Sequence, residues 1–242
     1  MTTTIIQKAR MIFRNLDALN QDPGAFLLFM VLILTALVAS FTVHEFSHAL
    51  VATALGDDTA KRQGRLSLNP KVHLDPTGSL MILLAGFGWG KPVPVNPRAF
   101  GVNALRSMMF VAAAGPASNF LLAFAILLLF KIGLVEPPLM LGDFRLLPWD
   151  SPISVLIGQF FAIALFLNVV LGVFNLIPLA PLDGSNVALG LLPRNLAMAY
   201  MRLQPSGPGI LMGIIMLDIF ANTGIIAGII NVPIGILERL IL

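Results

Sequence analysis

Residues 38–55 read VASFTVHEFSHALVATAL, an apolar stretch with three ionisable side chains near its middle, His44, Glu45 and His48. The stretch belongs to a longer apolar run, from about Ala25 to Leu55, which is long enough to cross the hydrocarbon layer of a bilayer as one helix. Ionisable groups are costly inside a membrane, and their presence there points to a functional site. We therefore expect a membrane helix that contributes side chains to a functional site.

The composition as a whole is that of a membrane protein. Of the 242 residues, 57% are hydrophobic and only 11% are charged, and the mean hydropathy of +0.89 is far above that of a soluble domain. The net charge is +3, but the basic residues are scattered through loops, which favours a role in membrane topology and not a nucleic-acid partner. Cysteine is absent, so disulfides and thiolate metal sites are excluded.

The apolar runs predict an all-α polytopic membrane protein, a bundle of about four to six transmembrane helices in the cell membrane. After the first run, we expect spans at 105–132, 153–176 and 209–230, and a shorter helical piece at 187–203 that Pro193 interrupts. Residues 1–24 read as an interfacial amphipathic segment, and residues 25–242 as a single transmembrane domain. A cleaved signal peptide is not expected.

A short membrane-associated segment, re-entrant or β-hairpin-like, is predicted between the first two spans. The apolar piece Gly78–Trp89 is too short to span comfortably, and the segments 65–69 and 91–97 on either side of it read as extended. Prolines cannot donate ladder hydrogen bonds, so the second segment can only be an edge strand. Because a free edge can accept another extended chain, we predict such binding at Pro92, Val93, Pro94 and Val95.

The ionisable residues of the first span form the pattern His-Glu-x-x-His. His44 and His48 lie one helical turn apart and project from the same face. In this pattern two imidazoles bind zinc and the glutamate, here Glu45, acts as general base toward water. The alternative, a polar cluster that only joins helices, is the weaker interpretation for three such residues together.

A catalytic zinc ion usually takes a third protein ligand. The candidates are His73, Asp75, Asp183 and Asp218. Asp183 is favoured because it follows a long apolar helix and two prolines, where unwound backbone can line a cavity. For His73 we expect a structural or interfacial role, and for Asp218 a hydrogen-bonding role toward a neighbouring helix.

Three motifs in the same order, HEFSH at 44–48, GPASN at 115–119 and NLIPLAPLDG at 175–184, resemble those of the site-2 protease family of intramembrane zinc metalloproteases. The stretches GRLSLNP and GWGKPVPVNP add to the likeness. The resemblance implies one zinc ion held by His44, His48 and Asp183, with Glu45 activating water. It also implies that Asn175 orients or polarises the scissile carbonyl, and that Asn119 contacts substrate or packs helices. Larger relatives add PDZ or CBS domains, which this chain does not show.

The resemblance further implies the reaction, hydrolysis of peptide bonds within or next to transmembrane segments. The partners would be a transmembrane protein or peptide substrate and the lipid bilayer. Two other interpretations use the same residues: a membrane metal-ion transporter, and a non-catalytic scaffold that binds membrane helices. A transporter would be expected to show weak multi-site binding and inverted repeats, which are not visible in the sequence.

Overall fold

The computed structural model describes residues 22–78, 89–137, 146–148, 150–221 and 223–241. The interfacial segment predicted at 1–24 and the re-entrant piece predicted at 78–89 lie almost entirely outside these residues. The predicted single domain at 25–242 likewise stays a prediction.

Within the described residues, the only regular secondary structure is helical, as the predicted all-α class requires. Three short 3-10 helices occur at Pro70–Val72, Pro97–Asn103 and Gln204–Ser206. The α-helices are α1 (Pro23–Ala54), α2 (Thr59–Arg62), α3 (Ala104–Lys131), α4 (Ile153–Asn175), α5 (Asp183–Leu191), α6 (Arg194–Met201), α7 (Gly207–Ala221) and α8 (Ile225–Ile241). The break predicted at Pro193 is confirmed, because this residue caps the start of α6.

Three of the described helical segments are long and apolar enough to cross a membrane, namely Pro23–Ala54, Pro97–Lys131 and Ile153–Asn175. The span predicted at 209–230 is wrong as a single helix. Gly224 has a φ of 70°, a left-handed conformation that glycine adopts readily, and the chain divides there into α7 and α8. With 15 and 17 residues at about 1.5 Å per residue, each falls short of the roughly 30 Å of hydrocarbon.

The chain groups into two compact units. The first consists of Met1–Ser40, Phe120–Val170 and Leu217–Leu242. Inside it, the amide of Asn168 donates to the hydroxyl of Ser40 over 2.8 Å. Asp218 accepts hydrogen bonds from the Thr223 hydroxyl at 2.8 Å and the Ile225 N–H at 2.7 Å, so its predicted hydrogen-bonding role toward the next helix is confirmed.

The second unit consists of Phe41–Asn119 and Leu171–Met216. It has a small core of Ala52, Phe100 and Val111, which joins the second half of α1 to the first half of α3. The strand pairing predicted for 65–69 and 91–97 does not form within the described residues, where these stretches bend, run without regular structure or enter a 3-10 helix. Instead, the N–H of Asn69 donates to the Ser67 hydroxyl, and the N–H of Lys91 donates to the carbonyl of His73.

Candidate metal centre

Three potential ligand atoms converge in the second unit. Nε2 of His44 lies 3.0 Å from Nε2 of His48 and 3.1 Å from Oδ2 of Asp183. Nε2 of His48 lies 3.3 Å from the same carboxylate oxygen. Two ligands bound to zinc at 2.0–2.1 Å with tetrahedral angles are about 3.3 Å apart. The triangle therefore has the size that a zinc ion requires.

The other nitrogen of each imidazole is held by a hydrogen-bond acceptor. Nδ1 of His44 lies 2.6 Å from the amide oxygen of Asn119, and Nδ1 of His48 lies 2.7 Å from the carbonyl oxygen of Val111. Both Nδ1 atoms therefore donate, and a neutral ring then directs the lone pair of Nε2 toward the centre of the triangle. Three lone-pair atoms this close need a proton or a cation between them. The donor set, two imidazoles and a carboxylate, suits zinc.

Asp183 lies in its ionised form beside the two histidines. Burial alone would raise its pKa, but when protons occupy the place of a cation, the protonated rings of His44 and His48 donate hydrogen bonds to the carboxylate and carry positive charge, which together lower the pKa of Asp183 to about 2. Its side chain keeps 21% of its surface exposed. The ligand triangle is thus closed on the side of the two buried histidines and accessible on the side of the carboxylate.

Gly115 of the GPASN motif explains how α3 approaches α1 closely enough to cover the histidines. A Cβ atom at this position would lie 2.5 Å from Nε2 of His48 and 2.6 Å from Nε2 of His44. No side chain larger than hydrogen fits there without displacing the two rings. Gly115, which the sequence analysis named only as part of the GPASN motif, therefore lies against the site.

Asp183 directly follows a compact loop between α4 and α5. The N–H of Leu179 donates to the carbonyl of Ile177 at 2.7 Å, and the N–H of Leu182 donates to that of Leu179 at 2.9 Å. Asp183 is the first residue of α5. A Cβ atom on Gly184 would overlap the carbonyl oxygens of Leu176 and Ile177. Asp183 therefore supplies the carboxylate of the triangle, while Gly184 lets the backbone of α5 lie against the start of the loop.

Glu45 lies in the same cluster. Its carboxylate and the ring nitrogens of His44 and His48 lie within 4.8 Å of one another, and all three residues are buried. The triangle described above does not include the Glu45 carboxylate, which lies beside it.

The other predicted site residues have separate partners. The Asn175 amide donates to the Leu171 carbonyl at 3.0 Å, in the last turn of α4, and its role toward a substrate stays a prediction. The ring of His73 is fully buried, and its Nε2 donates to the Ser67 carbonyl at 2.7 Å. Asp75 accepts from the N–H of Gly78 at 2.8 Å. Of the candidates for a third ligand, the structure brings only Asp183 to the histidines.

Two buried residues near the site were not singled out by the sequence. Asp57 and Arg65 are 1% and 4% exposed. Arg65 is one of several basic residues in the same loop, and only the fold distinguishes it from the exposed Lys61 and Arg62.

Comparisons with known proteins agree with the geometry. Residues 32–200 match Peptidase family M50. The chain is 46% identical over 164 residues to YwhC of Bacillus subtilis, named as a zinc metalloprotease, and the match covers 68% of this chain and 70% of that protein. Two Rip2 proteins, also named as zinc metalloproteases, are 31% identical over 157 residues in Mycolicibacterium smegmatis and 30% over 167 residues in Mycobacterium tuberculosis.

The Rip2 matches cover 64% and 67% of this chain, which spans 54% and 58% of the length of those proteins. No solved structure matches the chain. The family match contains every residue of the ligand triangle together with Glu45. The chain therefore belongs to peptidase family M50, the site-2 protease family of zinc metalloproteases, whose members are membrane proteins.

Proposed function

We propose that the protein is an intramembrane endopeptidase that hydrolyses peptide bonds within or next to transmembrane segments of other proteins of the cell membrane. One observation carries the proposal. Two imidazoles and a carboxylate converge beside a buried glutamate, and both histidines and the glutamate belong to a 32-residue apolar helix that is long enough to span a bilayer. Such groups are costly in a membrane and persist there for function.

In this proposal His44, His48 and Asp183 hold one zinc ion. When bound, zinc polarises a carbonyl oxygen and lowers the pKa of water, so that a nucleophile is available near neutral pH. Asn119 is fully buried and accepts from His44, which favours a role in orienting that ring over the contact with substrate that the sequence suggested. The Val111 carbonyl orients His48 in the same way.

Glu45 serves as the proton carrier. Its carboxylate accepts a proton from the attacking water and returns it to the amine that leaves when the peptide bond breaks. It is buried next to the ligands, so it lies close to where both transfers occur. Water can approach past Asp183, whose side chain is partly exposed.

The substrate is a transmembrane segment that has unwound locally, because the peptide bonds of an intact helix are held in internal hydrogen bonds. The extended chain would pair with the edge at Pro92, Val93, Pro94 and Val95. Asn175, at the end of α4 and the start of the loop that leads to Asp183, would orient the scissile carbonyl.

The substitution Glu45→Gln tests the proposal. It keeps the size of the side chain but removes the proton acceptor, so the purified protein should retain zinc while the membrane proteins that it cuts accumulate intact. Mass spectrometry of membrane-protein termini, in cells with the wild-type chain or the Glu45→Gln variant, identifies these substrates. The matched control is Glu136→Gln, at an exposed glutamate, which should behave as the wild type.

The same experiment separates the other interpretations. A metal transporter would keep much of its transport in the Glu45→Gln variant, and a scaffold would leave the termini of membrane proteins unchanged in every strain. Identical cleavage fragments from the wild type and the Glu45→Gln variant would refute the assignment of Glu45 as general base.

A further inference from the structure

The segment 91–96, which contains the proposed substrate-binding edge, is fixed at its first residue by two buried residues, His73 through its backbone and Arg65 through its side chain. The N–H of Lys91 donates to the carbonyl of His73 over 2.8 Å. The carbonyl of Lys91 accepts from the guanidinium of Arg65. Both hydrogen-bonding groups of this residue are therefore taken by a buried part of the second unit.

The last residue of the segment is fixed by the side chain of a third buried residue, Asp57. Oδ2 of Asp57 accepts from the N–H of Asn96 at 2.6 Å, while Oδ1 accepts from the N–H of Thr59 at 3.0 Å. Burial opposes ionisation of Asp57, but the hydrogen bond from the Thr59 hydroxyl, together with those from the N–H groups of Asn96 and Thr59, outweighs it and lowers the pKa of Asp57. A carboxylate thus holds the far end of the segment at neutral pH.

Between these two ends, the backbone has no backbone partner among the described residues. Within the described residues, no backbone hydrogen bond joins 92–95 to another part of the chain. Pro92 and Pro94 have no N–H, so the donors of this stretch are Val93 and Val95, two residues apart and directed to the same edge of an extended chain. Val95 also packs against the core of the unit.

The segment begins next to the metal centre. Gly90 lies so close to the ring of Phe41 that a Cβ atom there would overlap it. The Phe41 ring in turn stacks on His44, with ring centroids 6.4 Å apart and planes inclined by 10°. The Phe41 ring therefore lies between the start of the edge and His44, one of the proposed metal ligands.

Burial of the charged Arg65 side chain at this position costs free energy. Among the described residues it forms no ion pair within 4.0 Å, and its Nε, like Nδ1 of His73, is buried without a hydrogen-bond partner. Burial lowers the pKa of Arg65, and the negative charge of Glu45 opposes that shift. Replacing a buried charge by an apolar side chain is often neutral or stabilising, so stability alone does not explain this arginine.

We propose that Arg65, His73 and Asp57 are positioning residues, which hold the segment 91–96 beside the metal centre in the form that accepts an extended substrate chain. This inference rests on the proposed function and adds to it the residues that set the geometry of substrate binding. The three act through the backbone of Lys91 and Asn96 and leave the metal ligands unchanged.

The experiment compares Arg65→Met with Arg194→Met, at an exposed arginine elsewhere in the same unit, in the full-length zinc-loaded protein. The assay is cleavage of a membrane substrate that accumulates in the Glu45→Gln strain. Because small displacements of a bound chain can cost up to about 100-fold in rate, we expect Arg65→Met to lower kcat/KM at least about 10-fold, mainly by raising KM. Zinc content and the midpoint of thermal unfolding should stay at the values of the control.

Arg65→Lys should recover part of the loss, since an ammonium group can still donate to the Lys91 carbonyl. An Arg65→Met protein with the KM of the control, or one that loses zinc or unfolds at lower temperature, would overturn the positioning role. Failure of the proposed function is distinct, because no membrane protein would then accumulate uncut in the Glu45→Gln strain, whatever stands at position 65.

Discussion

The substitution Gly115→Ala tests the site at the point where two helices meet. The added methyl carbon would lie 2.5 Å from Nε2 of His48 and 2.6 Å from Nε2 of His44, whereas ordinary contacts begin at 3.4 Å. The rings must therefore retreat by about 0.8–0.9 Å. Metal sites tolerate ligand distances that deviate by only about 0.2 Å, so one methyl group should abolish binding of zinc.

The assay is the zinc content of the purified protein by mass spectrometry, together with cleavage of a membrane substrate. We expect Gly115→Ala to contain less than about one tenth of the zinc of the wild type, in line with the 10-fold to 100-fold losses caused by disturbed ligand orientation. Gly213→Ala is the matched control, because a Cβ atom there meets nothing within 4 Å. Wild-type zinc content and cleavage in Gly115→Ala would refute the described approach of α3 to the histidines.

Three further substitutions have distinct expected outcomes. Asn119→Ala removes the acceptor of His44 Nδ1 and should weaken zinc binding about 10-fold to 100-fold. Competition with a chelator measures this affinity, and an unchanged affinity for zinc would exclude the role of Asn119 in orienting His44. Gly184→Ala places a methyl group against the carbonyls of Leu176 and Ile177, so it should lower both the thermal stability and cleavage, and a wild-type unfolding midpoint would contradict the loop geometry. Asp218→Ala leaves the N–H of Ile225 without its acceptor, which should lower the free energy of unfolding by about 1–3 kcal/mol. The variant protein should keep its zinc, and a loss of zinc would contradict the place of Asp218 outside the site.

The ligand residues were predictable because each has a local signature. The spacing of His44 and His48 puts both rings on one helix face whatever the rest of the fold does. Asp183 follows prolines and precedes a glycine, which marks backbone that has left a membrane helix. The structure brings these two separately predicted pieces together, 139 residues apart in the chain.

The residues that support the site were not predictable in the same way. The contact between His44 and Asn119 joins positions 75 residues apart, and no local pattern distinguishes an asparagine that orients a histidine from one that packs helices. Similarly, Arg65 and Asp57 owe their burial to the path of the loop that follows α1. The break at Gly224 is different, because the cluster Asn-Thr-Gly at 222–224 favours a loop, although apolar residues continue on both sides of it.

The most direct test of the central claim is the zinc K-edge X-ray absorption spectrum of the purified protein. One zinc ion per chain should show the scattering of two imidazole rings, with all nitrogen and oxygen ligands at about 2.0–2.2 Å, and Asp183→Ala should lower the zinc content of the purified protein. A protein that binds no zinc after loading, or a spectrum and zinc content that Asp183→Ala leaves unchanged, would contradict the assignment of His44, His48 and Asp183 as the ligands.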